Sequence, residues 1–194
     1  MTDLSVDFTL ITRLQQGDLD ALGQLFDQYR LPVFRTSLAI TRDPAAAEDI
    51  LQDTFLRLYH YSGRIDPQRP VLPWLYRVAI NLSRTYVSRR SRWRASLDDF
   101  IELLVGPTGQ RPEPAADHNA ELNAMYRALQ TLKFDQRVVI ILYYINELSV
   151  DAIADVVNSP VGTVKSRLYY GRQNLRKYLV QTNGTPSSLA GWVS

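Results

Sequence analysis

The chain has 194 residues, 45% of them hydrophobic and 22% charged, a balance that excludes an intrinsically disordered protein and leaves room for one medium domain or two small ones. A net charge of +2 says little about a polyanionic partner, so the placement of the charges matters more than their sum. With no cysteine, disulfide staples and cysteine-ligated metals are excluded, and a reducing compartment is compatible.

In chain order, the opening stretch carries Asp3 and Asp7 where a secretory signal would carry lysines, and no long apolar segment follows. The longest apolar run, Val138 to Ile145, is too short to cross a bilayer. A soluble cytoplasmic protein without membrane insertion is expected. Leu19, Leu22, Leu25, Phe26 and Tyr29 recur at helical spacing, and Pro32 is expected to break that helix before a second short stripe through Val33, Phe34 and Leu38. Asp43-Pro44 reads as an N-cap followed by a first-turn proline, opening a helix to about Tyr61. Gly63, Pro67, Pro70 and Pro73 mark a loop, and a helix from about Trp74 to Arg90 follows.

The stretch from Leu97 to about His118 differs in kind: it holds five glycines and prolines, with acids at Asp98, Asp99, Glu102, Glu113 and Asp117 opposed only by Arg111. That is a linker composition. Helical periodicity resumes at Leu122, Met125, Leu129 and Leu132, then continues in helices near 135–145, 149–157 and 160–179. The expected architecture is all-α: two small helical domains, 1–96 and 119–180, joined by an acidic Pro/Gly-containing linker, 97–118, with a flexible tail at 181–194.

Three surfaces stand out. On the helix after Asp43, Glu48, Asp49, Gln52 and Asp53 form an acidic-polar face opposite Ile50, Leu51, Phe55 and Leu58. Such a face is either solvated or docks on a basic partner; a metal site is disfavoured because His60 shares no clear face with the acids. Next, arginines interleave with aromatics from Trp74 to Arg94, with Arg64 and Arg69 in the preceding loop. Aromatic rings stack on unpaired bases and arginines follow the backbone, although Trp74 also fits a core position. Last, Ser149 caps a short helix, Asn158 suits a left-handed turn, and Ser159-Pro160 opens a second helix bearing Lys165, Arg167 and Arg172. This is a helix-turn-helix pattern, whose second helix enters a DNA major groove.

The segment "PVGTVKSRLYYGRQNLR" and the upstream "LYYINELSVDAIADVVNSP" resemble the C-terminal DNA-binding domain of bacterial extracytoplasmic-function (ECF) sigma factors. "RDPAAAEDILQDTFLRLYHY" is similar to the polymerase-binding helix of that family, and "PWLYRVAINLSRTYVSRRSR" to its promoter-melting helix. The family's usual turn glycine is Asn158 here, and Tyr170 stands where many relatives carry a basic residue.

The resemblance implies an alternative sigma factor that binds core RNA polymerase and directs promoter-specific initiation, without covalent chemistry, cofactor or metal of its own. Glu48, Asp49, Gln52 and Asp53 would then meet the β′ clamp coiled coil, the β subunit also contributing to the polymerase contact. Arg64, Arg69, Tyr76, Arg77, Asn81 and Arg84 would serve the single-stranded −10 element, and Thr163, Lys165, Ser166, Arg167, Tyr169, Tyr170 and Arg172 the −35 duplex. An anti-sigma factor is an implied partner, and the linker would thread toward the polymerase cleft. Two other readings remain open: a stand-alone helix-turn-helix regulator, and a metal-dependent nuclease built on the acids.

Overall fold

The computed structural model describes the backbone of residues 4–105 and 120–181, and the side chains of residues 5–93 and 124–181. Among the described residues the chain is all-α. The helices are α1 (Leu4–Gln15), α2 (Leu19–Thr41), α3 (Pro44–Tyr61), α4 (Val71–Val105), α5 (Ala120–Gln130), α6 (Phe134–Tyr144), α7 (Val150–Val157) and α8 (Val161–Gln181), with a 3-10 turn at Ser62–Arg64. Helix α4 therefore runs into the stretch expected to be linker. The rest of that stretch, 106–118, and the tail from 182 on lie outside the described residues.

The expected break at Pro32 does not occur: α2 is continuous through it. Proline denies the Gln28 carbonyl a helical donor and strains the turn before it. Packing outweighs that cost, because Leu25, Tyr29 and Val33 on the flanking turns are all buried. Asp43 does cap α3, accepting from the Ala46 N–H at 3.2 Å, with Pro44 in the first turn. The start of α4 is earlier than Trp74 because Asp7 reaches it from α1. This fully buried carboxylate accepts the Val71 N–H at 3.0 Å and the Tyr29 hydroxyl, tying three helices at a helix N-terminus that favours negative charge. Gln15 adds a second tie, donating to the Ser62 and Ile65 carbonyls at 3.0 and 2.9 Å.

Two cores result. One joins α1 to α4 through Leu10, Ile11, Leu14, Leu25, Val33, Phe55, Leu58 and Leu75. The other joins α5 to α8 around Leu129, Ile140, Ile141, Ile153, Val164 and Leu175, and it also takes in Ala39 and Ile40 of α2 with Tyr76 and Ile80 of α4. The halves thus pack against each other. Polar anchors cross between them as well. The Arg137 guanidinium donates to the Ile40 carbonyl at 3.0 Å and to the Gln130 and Leu132 carbonyls at 3.3 and 3.2 Å, so one cation serves the C-terminal ends of α2 and α5. Burial pushes its pKa down. Asn146 donates to the Thr36 hydroxyl at 3.0 Å and to the Tyr76 hydroxyl at 2.7 Å.

Candidate polymerase and nucleic-acid interfaces

Helix α3 buries Ala46, Ala47, Ile50, Leu51, Thr54, Phe55 and Leu58 against its neighbours. A stripe that regular leaves the opposite face to solvent, and Glu48, Asp49, Gln52 and Asp53 all stand exposed there. Leu56 continues the line one turn beyond Gln52 and is 63% exposed, with Tyr59 after it at 48%. An exposed apolar side chain one turn beyond an acidic-polar face is the composition of a protein-docking surface, aromatic or aliphatic at the centre and polar at the rim. Sequence reasoning did not single out Leu56. Its register, off the stripe of Ile50, Leu51, Phe55 and Leu58, was the signal that could have found it. No cluster of metal-ligating side chains occurs among the described residues.

Between α3 and α4 the chain turns at Asp66, whose carboxylate accepts the Gln68 N–H at 3.0 Å and pairs with Arg69 at 3.6 Å. Asp66 and Arg69, together with Arg64, Trp74 and Arg77, line an open pocket of about 660 Å³. Trp74 is half-buried, so it packs on the first core and also lines this pocket. Arg64 lies over the Tyr61 ring, 5.8 Å from its centroid. Farther along α4, Arg77, Asn81 and Arg84 line a second cleft of about 340 Å³ whose other wall belongs to the C-terminal half. Arg84 reaches Asp135 at 2.6 Å and lies 4.3 Å over the Phe134 ring. Arg77 donates to the Asp155 and Val156 carbonyls at the end of α7. Tyr76, expected among the −10 residues, is only 2% exposed in this arrangement, because its position on α4 faces α2 and Asn146 rather than solvent.

The α7–α8 pair is a helix-turn-helix. Ser149 caps α7 by accepting the Ala152 N–H at 3.2 Å, and Asn158 closes it with a left-handed φ of 47°. The Ser159 hydroxyl, expected to cap α8, instead donates to the Val157 carbonyl at 3.3 Å and accepts from Arg167 at 3.2 Å. Helix α8 seats Val164, Leu168, Gly171, Leu175 and Leu179 in the core. Gly171 permits this: a Cβ there would stand 3.0 Å from Ile140 Cγ1.

Opposite that stripe, Lys165, Ser166, Tyr169 and Tyr170 are exposed and Thr163 partly so. The two tyrosines meet edge to face, 5.3 Å between centroids, and each is 58% exposed, so both point outward. The other two cations expected on the DNA face turn inward. Arg167 approaches Asp135 at 3.4 Å, and the Arg172 guanidinium lies 5.5 Å from both the Tyr143 and Tyr144 ring centroids. Of the three cations expected on the DNA face, only Lys165 is unobstructed in this arrangement.

Comparison with known proteins bears on both halves. The Sigma-70 region 2 profile matches residues 25–93 and the Sigma-70 region 4 profile matches 122–175. The ECF RNA polymerase sigma factor SigW of Bacillus subtilis is 33% identical over 177 residues, covering 87% of this chain and 94% of SigW. The ECF RNA polymerase sigma-E factor of Escherichia coli K12 is 29% identical over 181 residues, covering 89% of this chain and 94% of that protein. Among solved structures, CnrH in complex with the cytosolic domain of CnrY superimposes with a TM-score of 0.70 at 25% identity, covering 91% of this chain and 98% of CnrH. An acidic-faced helix, an arginine-rich helix and a capped helix-turn-helix in chain order, matched over nearly the full length of such relatives, place the chain in the ECF sigma factor family, as an alternative sigma factor that directs promoter-specific transcription initiation.

Proposed function

We propose a division of labour along the chain. Helix α3 docks on core RNA polymerase through Glu48, Asp49, Gln52 and Asp53, with Leu56 as the apolar centre of the contact. The pocket beside Arg64, Arg69 and Trp74 receives an unstacked base of the −10 strand, and Arg77, Asn81 and Arg84 follow its backbone. Capturing a base in this way offsets part of the few kcal/mol needed to unstack it. The outward face of α8, with Thr163, Lys165, Ser166, Tyr169 and Tyr170, lies in the −35 major groove. The polymerase supplies the chemistry, and this chain supplies position. Its place of action is the cytoplasm, with the nucleoid when in holoenzyme, and an anti-sigma protein is its expected inhibitor.

The observation that supports this reading most is the exposed acidic face of α3 around Leu56, on the same chain as an outward-facing recognition helix. A stand-alone operator-binding regulator would leave that face and the region 2 match without a task. The test separates the two activities. Asp49→Lys with Asp53→Lys is expected to weaken retention of the protein on immobilised core enzyme at least tenfold, leaving duplex binding intact. Lys165→Ala is expected to do the reverse, lowering duplex affinity and the steepness of its salt dependence. Equal loss of both activities in each variant, with folding intact, would contradict the assignment.

A further inference from the structure

Each base offers the major groove a different handle. Guanine is taken by a bidentate arginine, the cytosine amine by a carboxylate, and thymine by apolar contact with its C5-methyl group. The first two kinds of reader are not at hand on the outward face of α8. The helix contains no Asp or Glu. From Val161 to Arg172 its arginines are Arg167 and Arg172, and both are directed at α6. Arg167 is partly exposed, but its terminal nitrogens are engaged, one donating to the Ser159 hydroxyl at 3.2 Å and the other 3.4 Å from Asp135. The Arg172 guanidinium lies against the Tyr143 and Tyr144 rings, and its Nε is buried.

What that face presents instead is aromatic. Tyr169 and Tyr170 are each 58% exposed, and their rings meet edge to face at an interplanar angle of 77°. Each ring restricts the other, so the pair is set in place before any contact is made. Tyrosine also gives up little side-chain entropy when its ring is covered. One turn earlier stand Lys165 and Ser166, both exposed. The Ser166 hydroxyl donates to the Thr163 carbonyl at 2.9 Å, which leaves its oxygen free to accept. Beyond the pair, Arg176 and Lys177 are exposed as well. Cations on either side of two outward rings, with no acid on the helix, complement a polyanion and not an acidic protein surface.

We propose that Tyr169 and Tyr170 are the specificity determinants of the −35 contact and that they read thymine. Their rings close over C5-methyl groups while Lys165 holds a neighbouring phosphate, so the sequence bound by α8 is centred on A·T pairs rather than on guanine. This rests on the reading of α8 as the helix in the −35 groove.

The experiment uses holoenzyme, the full chain with core RNA polymerase, and a duplex that it selects from a randomised library. In that duplex each thymine is replaced singly by uracil, which removes the methyl group and nothing else. At one or more thymines the change is expected to weaken wild-type binding about fourfold, the order of one buried methyl group. At those positions Tyr169→Ala with Tyr170→Ala is expected to bind the thymine and uracil duplexes alike. Tyr169→Phe with Tyr170→Phe is expected to keep the discrimination, since the ring and not the hydroxyl makes the contact. Methyl contacts made elsewhere in the complex are common to all these proteins and cancel in the comparison. The proposal is overturned if no uracil effect depends on the tyrosines, or if the selected sequence is centred on a guanine whose recognition is lost in Arg167→Ala. If Lys165→Ala and the double alanine variant both select and bind duplex as wild type does, the reading of α8 itself fails and takes the proposal with it. Because both rings are exposed, thermal melts of the tyrosine variants are expected to match wild type, which separates lost recognition from lost folding.

Discussion

Asp43 shows how much can rest on one side chain. Its carboxylate caps α3 at the Ala46 N–H, accepts the Tyr86 hydroxyl, and pairs with Arg90 at 3.0 Å. The Tyr86 hydrogen bond, with the cap and Arg90 adding to it, holds the Asp43 carboxyl below the usual aspartate range. A depressed carboxylate stabilises the fold above its unfolded pKa, about 3.9, and that contribution is lost as pH falls through the lower folded value. Asp43→Ala is expected to cost about 1–2 kcal/mol in urea denaturation at neutral pH, from the lost cap. Asp43→Asn should keep most of the cap while flattening the acid-side pH dependence. Identical losses for both variants would show that the cap contributes nothing. Gly171 is a second such point: Gly171→Val would drive methyl groups into Ile140 and is expected to cost about 1–3 kcal/mol by overpacking. By contrast, Asn158→Gly is expected to leave stability nearly unchanged, since the left-handed turn accepts either residue. At this scale the caps and the turn were legible in the sequence, because Asp43, Ser149 and Asn158 act on backbone within a few residues of themselves. The roles of Asp7 and Arg172 were not, since their partners, Val71 and the Tyr143–Tyr144 pair, lie 64 and about 28 residues away.

Among the helices, α3 and α8 are amphipathic for opposite purposes. Each buries one apolar stripe and offers the other side outward, acidic on α3 and polar-aromatic on α8. The apolar periods marked both helices in the sequence to within a residue or two. Leu56, off the buried stripe, is exposed although apolar. What periodicity could not reveal was that Arg167 and Arg172, also off the stripe, turn inward although charged. The continuity of α2 through Pro32 was hidden for a related reason, since local propensity argued for a break and tertiary packing overrode it. Leu56→Asp tests the element-level reading of α3. Exposed in the free chain, it should leave thermal stability within about 0.5 kcal/mol of wild type. As the centre of a docking contact it should weaken core-enzyme binding roughly tenfold, as loss of an interface anchor does. A variant that binds core enzyme as wild type does would remove Leu56 from the interface.

The whole molecule is more closed than two domains on a tether. The sequence suggested two helical units, and two cores exist, yet the second core includes Ala39, Ile40, Tyr76 and Ile80 from the first unit. Nothing in the local pattern marked those four residues as an interdomain seam, because a buried residue looks the same whichever body covers it. The acidic face of α3 and the tyrosine pair of α8 remain outward, while Arg77 and Arg84 of α4, still partly exposed, contact the C-terminal half.

The most direct test of the account is transcription reconstituted with core RNA polymerase and genomic template, with start sites mapped for the wild-type chain and for the Asp49→Lys, Asp53→Lys double variant. The account predicts starts at a defined set of promoters with the first protein and none with the second, whose duplex binding persists. Failure of the wild-type chain to bind core enzyme or to initiate at any discrete site would contradict it.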